Sequence, residues 1–156
     1  MTNSNYTIRR LHTNEKIPYD LLLLADETME AINRYIFDCE IYVLEKENRI
    51  IAVYALLVLN AQEAEIKNIA VAPEYQGQGI GKVLLKDAND RAKARGFRRI
   101  LIGTWDTSGM PILFYLKQGF VKYGVKKDFF VQNYPRPIYD HGIQLRDMVM
   151  LKKELQ

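Results

Sequence analysis

Three glycines, Gly77, Gly79 and Gly81, fall within five positions between the apolar run Glu65 to Ala72 and a second run of helical periodicity. Residues of that type at that spacing can bind an anion. Glycine reaches backbone angles closed to other residues and lets a ligand approach the chain, while the helix that follows offers unpaired N–H groups and a positive dipole end. Phosphate is the natural guest. Two phosphate loops of known pattern are excluded. A Walker A loop needs Gly five positions before Gly81, where Gln76 stands, and Ser or Thr after Lys82, where Val83 stands. A dinucleotide loop needs G-x-G-x-x-G, whereas these glycines read G-x-G-x-G and lie mid-chain, without an acid closing the next strand.

The pattern that fits is Gln76, two free positions, Gly79, one free position, Gly81, directly after an apolar strand and before a helix. This resembles the acetyl-CoA signature of the GNAT superfamily of N-acetyltransferases. The resemblance continues through Phe114-Tyr115-Leu116-Lys117-Gln118-Gly119-Phe120, which is similar to the family's F-Y-x-K-x-G-F segment. Together the two motifs span residues 65 to 120, and the pair is far more specific than either half. The resemblance implies an α/β fold in which one domain, residues 1–156, carries a mixed, mostly antiparallel sheet splayed at its centre and flanked by helices. It also implies acetyl transfer from acetyl-CoA directly onto an amine.

That reaction makes demands on particular residues. An alkylamine with a lysine-like pKa is only about one part in two thousand neutral at pH 7, so something must take its proton. An acid on the strand before the loop often acts as general base in the family, frequently through water, and Glu65 stands there. The alternative is a carboxylate that only orients substrate. The resemblance assigns backbone N–H groups of Ile69-Ala70-Val71 to the pantetheine and thioester, at a bulge that splays two strands. It assigns the pyrophosphate to the amides of Gly77, Gln78, Gly79, Ile80, Gly81 and Lys82, with Gln76 polar at the entrance. Tyr115 matches the tyrosine that approaches the CoA sulfur and can act as general acid. Lys117 is either a contact to the adenosine end or a solvated lysine. One position departs from the family pattern: the common Asn seven residues before Tyr115 is Ser108, and Pro111 replaces the usual Ala. Ser108 can still donate to pantetheine, over a shorter reach.

A chain of 156 residues with 48% hydrophobic content is long enough to bury roughly 70% of its unfolded surface in one domain. Cys39 is the only cysteine, which excludes an internal disulfide and a cysteine metal cluster and suits a reducing cytoplasm. With only His12 and His141 and no ligand-type spacing, no metal is expected. No apolar run reaches membrane-spanning length, and the polar start, Met1 to Tyr6, does not resemble a signal peptide. The formal charge of +3 comes from interspersed charges, so neither nucleic acid nor membrane is an expected partner. The expected partner is a small-molecule amine, with a homodimer left open.

The positioning elements follow from the pattern. Thr7 to Leu11 reads as a strand, and Tyr19 to Phe37 as two short helices. The first is expected to bury Leu22, Leu23 and Leu24; the second, capped by Thr28, Met29, Ile32 and Ile36. Strands are expected at Ile41 to Lys46 and Ile50 to Leu59, joined by a hairpin turn at Glu47-Asn48-Arg49, and again at Glu65 to Ala72. The helix from Gly81 presents Leu84, Leu85, Ala88 and Ala92 on one face, pairs Asp87 with Arg91 and stops at Gly96. Ile100 to Gly103 is a buried strand parallel to its predecessor, with a ligand at its C-terminal edge. A short helix to Lys117 and strands at Phe120 to Tyr123 and Met148 to Lys153 close the fold, around an ordered loop from Asp128 to Gly142. Amine selectivity belongs to Tyr19 to Phe37 and to that loop. Asp26, Glu27 and Glu30 either attract a cationic amine or serve as solvated caps, and His141, Asp140 and the tyrosines either line a pocket or only fix a loop. A protein amine acetyltransferase and a non-catalytic acyl-CoA sensor are the rival functions.

Overall fold

The computed structural model describes residues 5–105 and 110–155. The first strand, β1 (Tyr6–Arg10), is followed by two single-turn helices, α1 (Tyr19–Leu22) and α2 (Met29–Asn33), and a short 3-10 turn. Thr28 caps α2 by accepting the Ala31 N–H at 3.0 Å, as its residue type predicts. The buried faces differ from expectation. Leu21 and Leu22 are buried in α1 and Ala31 and Ile32 in α2, whereas Leu23, Leu24 and Met29 are exposed. The reason is length: a helix that stops after four residues does not carry its phase onward, so the next two leucines turn outward.

The strands β2 (Glu40–Lys46) and β3 (Arg49–Val58) form a hairpin whose two turn residues, Glu47 and Asn48, both adopt left-handed backbone, φ 53° and 63°. That conformation matches the twist of the flanking strands, and Asn tolerates it well. Next come β4 (Glu63–Val71), α3 (Ile80–Ala94), β5 (Arg99–Trp105) and α4 (Met110–Lys117). The expected loop at Asp128 to Gly142 is more regular than its prolines suggested. After β6 (Val121–Lys126) it contains α5 (Phe129–Asn133) and one arm of a two-stranded hairpin, β7 (Tyr139–Asp140) with β8 (Ile143–Gln144). The last strand is β9 (Met148–Glu154).

Seven strands make one mixed sheet in the order β1-β2-β3-β4-β5-β9-β6, with β4 and β5 the parallel pair and every other neighbour antiparallel. Adjacent strand residues point to opposite faces, and two hydrogen bonds identify what covers each. Tyr54 donates its hydroxyl to Asp87 of α3 at 2.7 Å, while Asn68, paired with Ala55, donates to the Leu22 carbonyl of α1 at 3.0 Å. So α3 lies on one face and α1 on the other. Leu84, Leu85, Ala88 and Ala92 are the buried residues of α3, and the two alanines permit close approach to the sheet. Asp87 also accepts from Arg91 at 2.8 Å, the expected i,i+4 pair.

Candidate active site

The parallel pairing of β4 with β5 ends early. It runs from Glu63–Arg99 to Ile66–Ile102, after which Lys67 to Val71 and Gly103 to Trp105 separate. The cause is a bulge. Against β3, Asn68 pairs with Ala55 and Ile66 with Leu56, so Lys67 is an extra residue that bends β4 away. It sits two residues before the expected position, and it frees the amides beyond it. Ala72 donates to the Ile51 carbonyl at 2.8 Å. By the antiparallel alternation Ala70 also turns its N–H toward β3, while Ile69 and Val71 direct theirs into the fork.

The glycine loop leads from this fork to α3. Gln76 donates its side-chain N–H to the Val71 carbonyl at 2.9 Å, tying the loop entrance to the strand end. Gly77 and Gly79 hold φ of 78° and 83°, and Gly79 is the N-terminal cap residue of α3, with no side-chain cap. A Cβ added at either glycine would meet nothing within 4 Å. Backbone conformation, not space, therefore demands glycine there. The first turn of α3 contains no acid and includes Lys82, which complements the positive helix end in holding an anion. This cradle suits the pyrophosphate of CoA.

At the fork lies a cavity of about 100 Å³ lined by Lys67, Asn68, Ile69, Thr104, Trp105 and Tyr115, among others. A second cavity of about 280 Å³ adjoins it, with Asp26, Glu27, Trp105, Tyr134, Tyr139 and Asp140 in its walls. Ala25, Lys67 and Gly103 to Trp105 line both, so the two form one cleft. Gly103 lets the Met148 side chain pack over β5 at this wall, since a Cβ there would lie 2.5 Å from the Met148 sulfur. The two segments expected to select the amine meet across this cleft. Tyr134 and Tyr35 donate their hydroxyls to the two oxygens of Asp26, and Trp105 Nε1 donates to Asp140 at 2.9 Å. Burial pushes both tyrosines up, so both remain protonated donors. A larger groove of about 1050 Å³ runs along Arg9 to Glu15 and Phe37. It includes neither cradle nor fork residues, so volume alone does not choose the site.

Tyr115 reaches the fork from the α3 side, where neighbouring Phe114 packs 3.7 Å from the position of a Cβ on Gly81. It is 9% exposed, lies edge-on to the rings of Phe114 and Phe120, and has its hydroxyl pushed up to about 12 by burial. Glu65 lies on the opposite face, the α1 side that it shares with Asn68, one pair before the fork opens. It is 7% exposed and lines neither cavity, and its Oε2 is 3.6 Å from the Lys67 ammonium, which lines both. The geometry thus groups Tyr115, Ile69 and Val71 at the fork, places the Gln76 to Lys82 cradle beyond Val71, and sets Glu65 just behind Lys67.

Of the remaining candidates, His141 is exposed and lines neither cavity, whereas Asp140, Tyr134 and Tyr139 line the larger one. Ser108 lies outside the described residues. Burial pushes the Cys39 thiol up to about 12, which keeps it unreactive near neutral pH. Among the described residues, no three His, Cys, Asp or Glu side chains cluster in a way that could hold a metal ion. Gly103 stands at the strand edge where a ligand was expected, whereas Lys67, Asn68 and Trp105 escaped the sequence reading. Their one signal was the polar pair Lys67-Asn68 side by side in an apolar strand, where strict alternation allows only one face to be polar.

Residues 37–122 match the family model described as an acetyltransferase (GNAT) domain. The uncharacterized N-acetyltransferase YvbK of Bacillus subtilis (strain 168) is 40% identical over 143 residues, 92% of each chain. A crystal structure of a GNAT family acetyltransferase from Elizabethkingia anophelis with acetyl-CoA bound superposes with a TM-score of 0.93 at 42% identity, covering 97% of this chain and 99% of that one. The IAA acetyltransferase from Bacillus cereus ATCC 14579 gives a TM-score of 0.89 at 38% identity, over 96% and 99% of the two chains.

Proposed function

Because this chain belongs to the GNAT superfamily and is an acetyl-CoA-dependent N-acetyltransferase, we propose that it places the acetyl group directly on a primary amine of a small molecule. The observation that carries this reading is the 280 Å³ cavity on the far side of the fork from Tyr115, with Asp26, Glu27 and Asp140 in its walls. Its size suits a small ligand, and its acids suit a cationic one. The Tyr134 bond to Asp26 and the Trp105 bond to Asp140 hold the α5 and β7 lobe across the cleft, where a protein N-terminus would need an open groove.

In this reading the cradle amides from Gly77 to Lys82 bind the cofactor's pyrophosphate, and the Ile69 and Val71 amides bind its pantetheine and thioester oxygen. Acetyl-CoA supplies the electrophilic carbonyl. The amine nitrogen forms the new C–N bond as the C–S bond breaks, and the amine's surplus proton passes through water to Glu65. Tyr115 donates to the departing sulfur. With its hydroxyl at about 12, full proton transfer to a thiolate whose acid has a pKa of about 8.5 would run uphill by roughly 5 kcal/mol. A retained hydrogen bond to the sulfur is therefore the better assignment.

The proposal is tested by release of CoA thiol over a panel of 2-phenylethylamine, putrescine, glycinamide and a short peptide with a free alanine N-terminus. The small amines are expected to exceed the peptide by at least about tenfold in kcat/KM, a margin worth about 1.4 kcal/mol. A peptide preference would make the enzyme a protein acetyltransferase, and no thiol from any amine would leave an acyl-CoA sensor. Tyr115→Phe keeps the packing and removes only the hydroxyl. A hydrogen bond to a charged sulfur predicts a fall in kcat of about 10- to 100-fold. Weaker acetyl-CoA binding with unchanged kcat would make Tyr115 a binding residue instead.

A further inference from the structure

Asn68 is 4% exposed and lines the fork cavity. Its Nδ2 donates twice, to the Leu22 carbonyl and to the Tyr35 hydroxyl oxygen, both at 3.0 Å. These partners fix the amide: turned over, its oxygen would face a carbonyl that can only accept and a hydroxyl that already donates to Asp26. Its Oδ1, fully buried, has no hydrogen-bond donor among the described residues. A buried acceptor held so firmly and left without a donor is a place for a ligand N–H.

Building on the amine-acetylation reading, we propose that Asn68 Oδ1 accepts an N–H of the attacking amine and so orients its lone pair toward the thioester. Asn68 projects from the α1 face of β4, the face of Asp26 and the larger cavity, whereas Tyr115, to which the proposed function gives the departing sulfur, comes from the α3 side. A neutral primary amine has two N–H groups and one lone pair. An acceptor that takes one N–H leaves the lone pair free and restricts its direction. The Asp26 carboxylate strengthens this acceptor from a distance, because the bonds run in one sense from Asn68 N–H to the Tyr35 oxygen and from Tyr35 O–H to Asp26. Tyr35 and Asp26 are positioning residues in this scheme. Asn68 takes no proton, so its contribution is distinct from that of Glu65.

The test uses the full chain and the best of 2-phenylethylamine, putrescine and glycinamide as acceptor. Asn68→Ala should lower kcat/KM for the amine by about 30-fold, the loss of one well-placed hydrogen bond in the transition state, with KM for acetyl-CoA within about twofold of wild type. Because Asn68 does not titrate, that deficit should be the same at every pH. Tyr35→Phe retains Asn68 and its bond to Leu22, and should lower the same ratio by about threefold, since it removes only the polarising link. Unchanged amine kinetics in folded Asn68→Ala overturn the proposal, and so does a loss confined to KM for acetyl-CoA, which would give the acceptor to the cofactor. If Asn68→Ala does not fold, unchanged amine kinetics in Tyr35→Phe overturn it. Wild type that releases no thiol with any of the three amines instead refutes the small-amine reading, on which this proposal rests.

Discussion

Gly79→Val is expected to give a folded protein that no longer binds acetyl-CoA. Gly79 holds φ 83° and ψ 9° as the cap residue of α3. A β-branched residue in that region is a steric outlier, at a cost of about 1–2 kcal/mol from the left-handed conformation and more from the branching. No neighbour lies within 4 Å of the added Cβ, so nothing nearby can move to relieve the strain. It resides in the chain itself, and the chain relieves it by abandoning the left-handed turn. The N–H groups of Gly77 to Lys82 then lose the arrangement that the left-handed turn and the start of α3 give them. With the proposed site made of backbone amides and a helix end, losing their alignment should remove most of its affinity at once, by at least about 100-fold on the scale of several charge-assisted hydrogen bonds. A stability of about 5–15 kcal/mol for an ordinary domain absorbs the strain. Calorimetric titration with acetyl-CoA, paired with a circular dichroism melt, decides the matter. A folded variant with wild-type affinity would remove the cradle from the site, and Lys82→Ala, which leaves every amide in place, should weaken binding only modestly.

The cradle was legible because glycine reports backbone conformation directly: Gly77 and Gly79 are left-handed, as their spacing implied. The hairpin turn at Glu47-Asn48, the Thr28 cap and the Asp87–Arg91 pair were legible because each is a local rule acting within a few residues, and the parallel crossover into β5 because a strand, a helix and a continuous apolar run leave little other choice. The far wall of the cleft was not. Which leucines α1 buries depends on where the helix stops, and the sequence carries no strong stop signal at Leu23. The walls of the larger cavity come from segments more than a hundred residues apart, joined by Tyr134 to Asp26. Proline in the Asp128 to Gly142 segment spoke for a loop but could not indicate that α5 would lie against Asp26. Lys67 shows how a tertiary feature hides in one dimension: a bulge inserts one residue and re-aims its neighbours, so the face of Glu65 and Asn68 follows only once the β3 register is known.

That register makes Glu65→Gln the most informative substitution for mechanism. The glutamine is isosteric, so the buried site at the last pairs before the fork stays filled. Acetyl-CoA binding, which the proposed function gives to the backbone of the cradle and to the Ile69 and Val71 amides, should be unchanged. If the carboxylate receives the amine's proton through water, kcat/KM near neutral pH should fall by about 100- to 10,000-fold, the range of one general base. The wild-type ratio should rise with pH as the amine loses its proton. The variant's ratio should rise more steeply, because alkaline solvent provides the neutral amine that Glu65 would otherwise generate, and the deficit should shrink toward the amine's own pKa of about 10. The 3.6 Å separation of Glu65 from the Lys67 ammonium requires a control. If Glu65 served only to anchor Lys67 at the mouth of the cleft, Lys67→Met would reproduce the deficit, and neither variant would recover at high pH. The decisive measurement is a pH profile of kcat/KM for wild type, Glu65→Gln and Lys67→Met with a single amine. A deficit in Glu65→Gln that is equal at every pH would make the carboxylate an orienting group, and no deficit would leave solvent as the base.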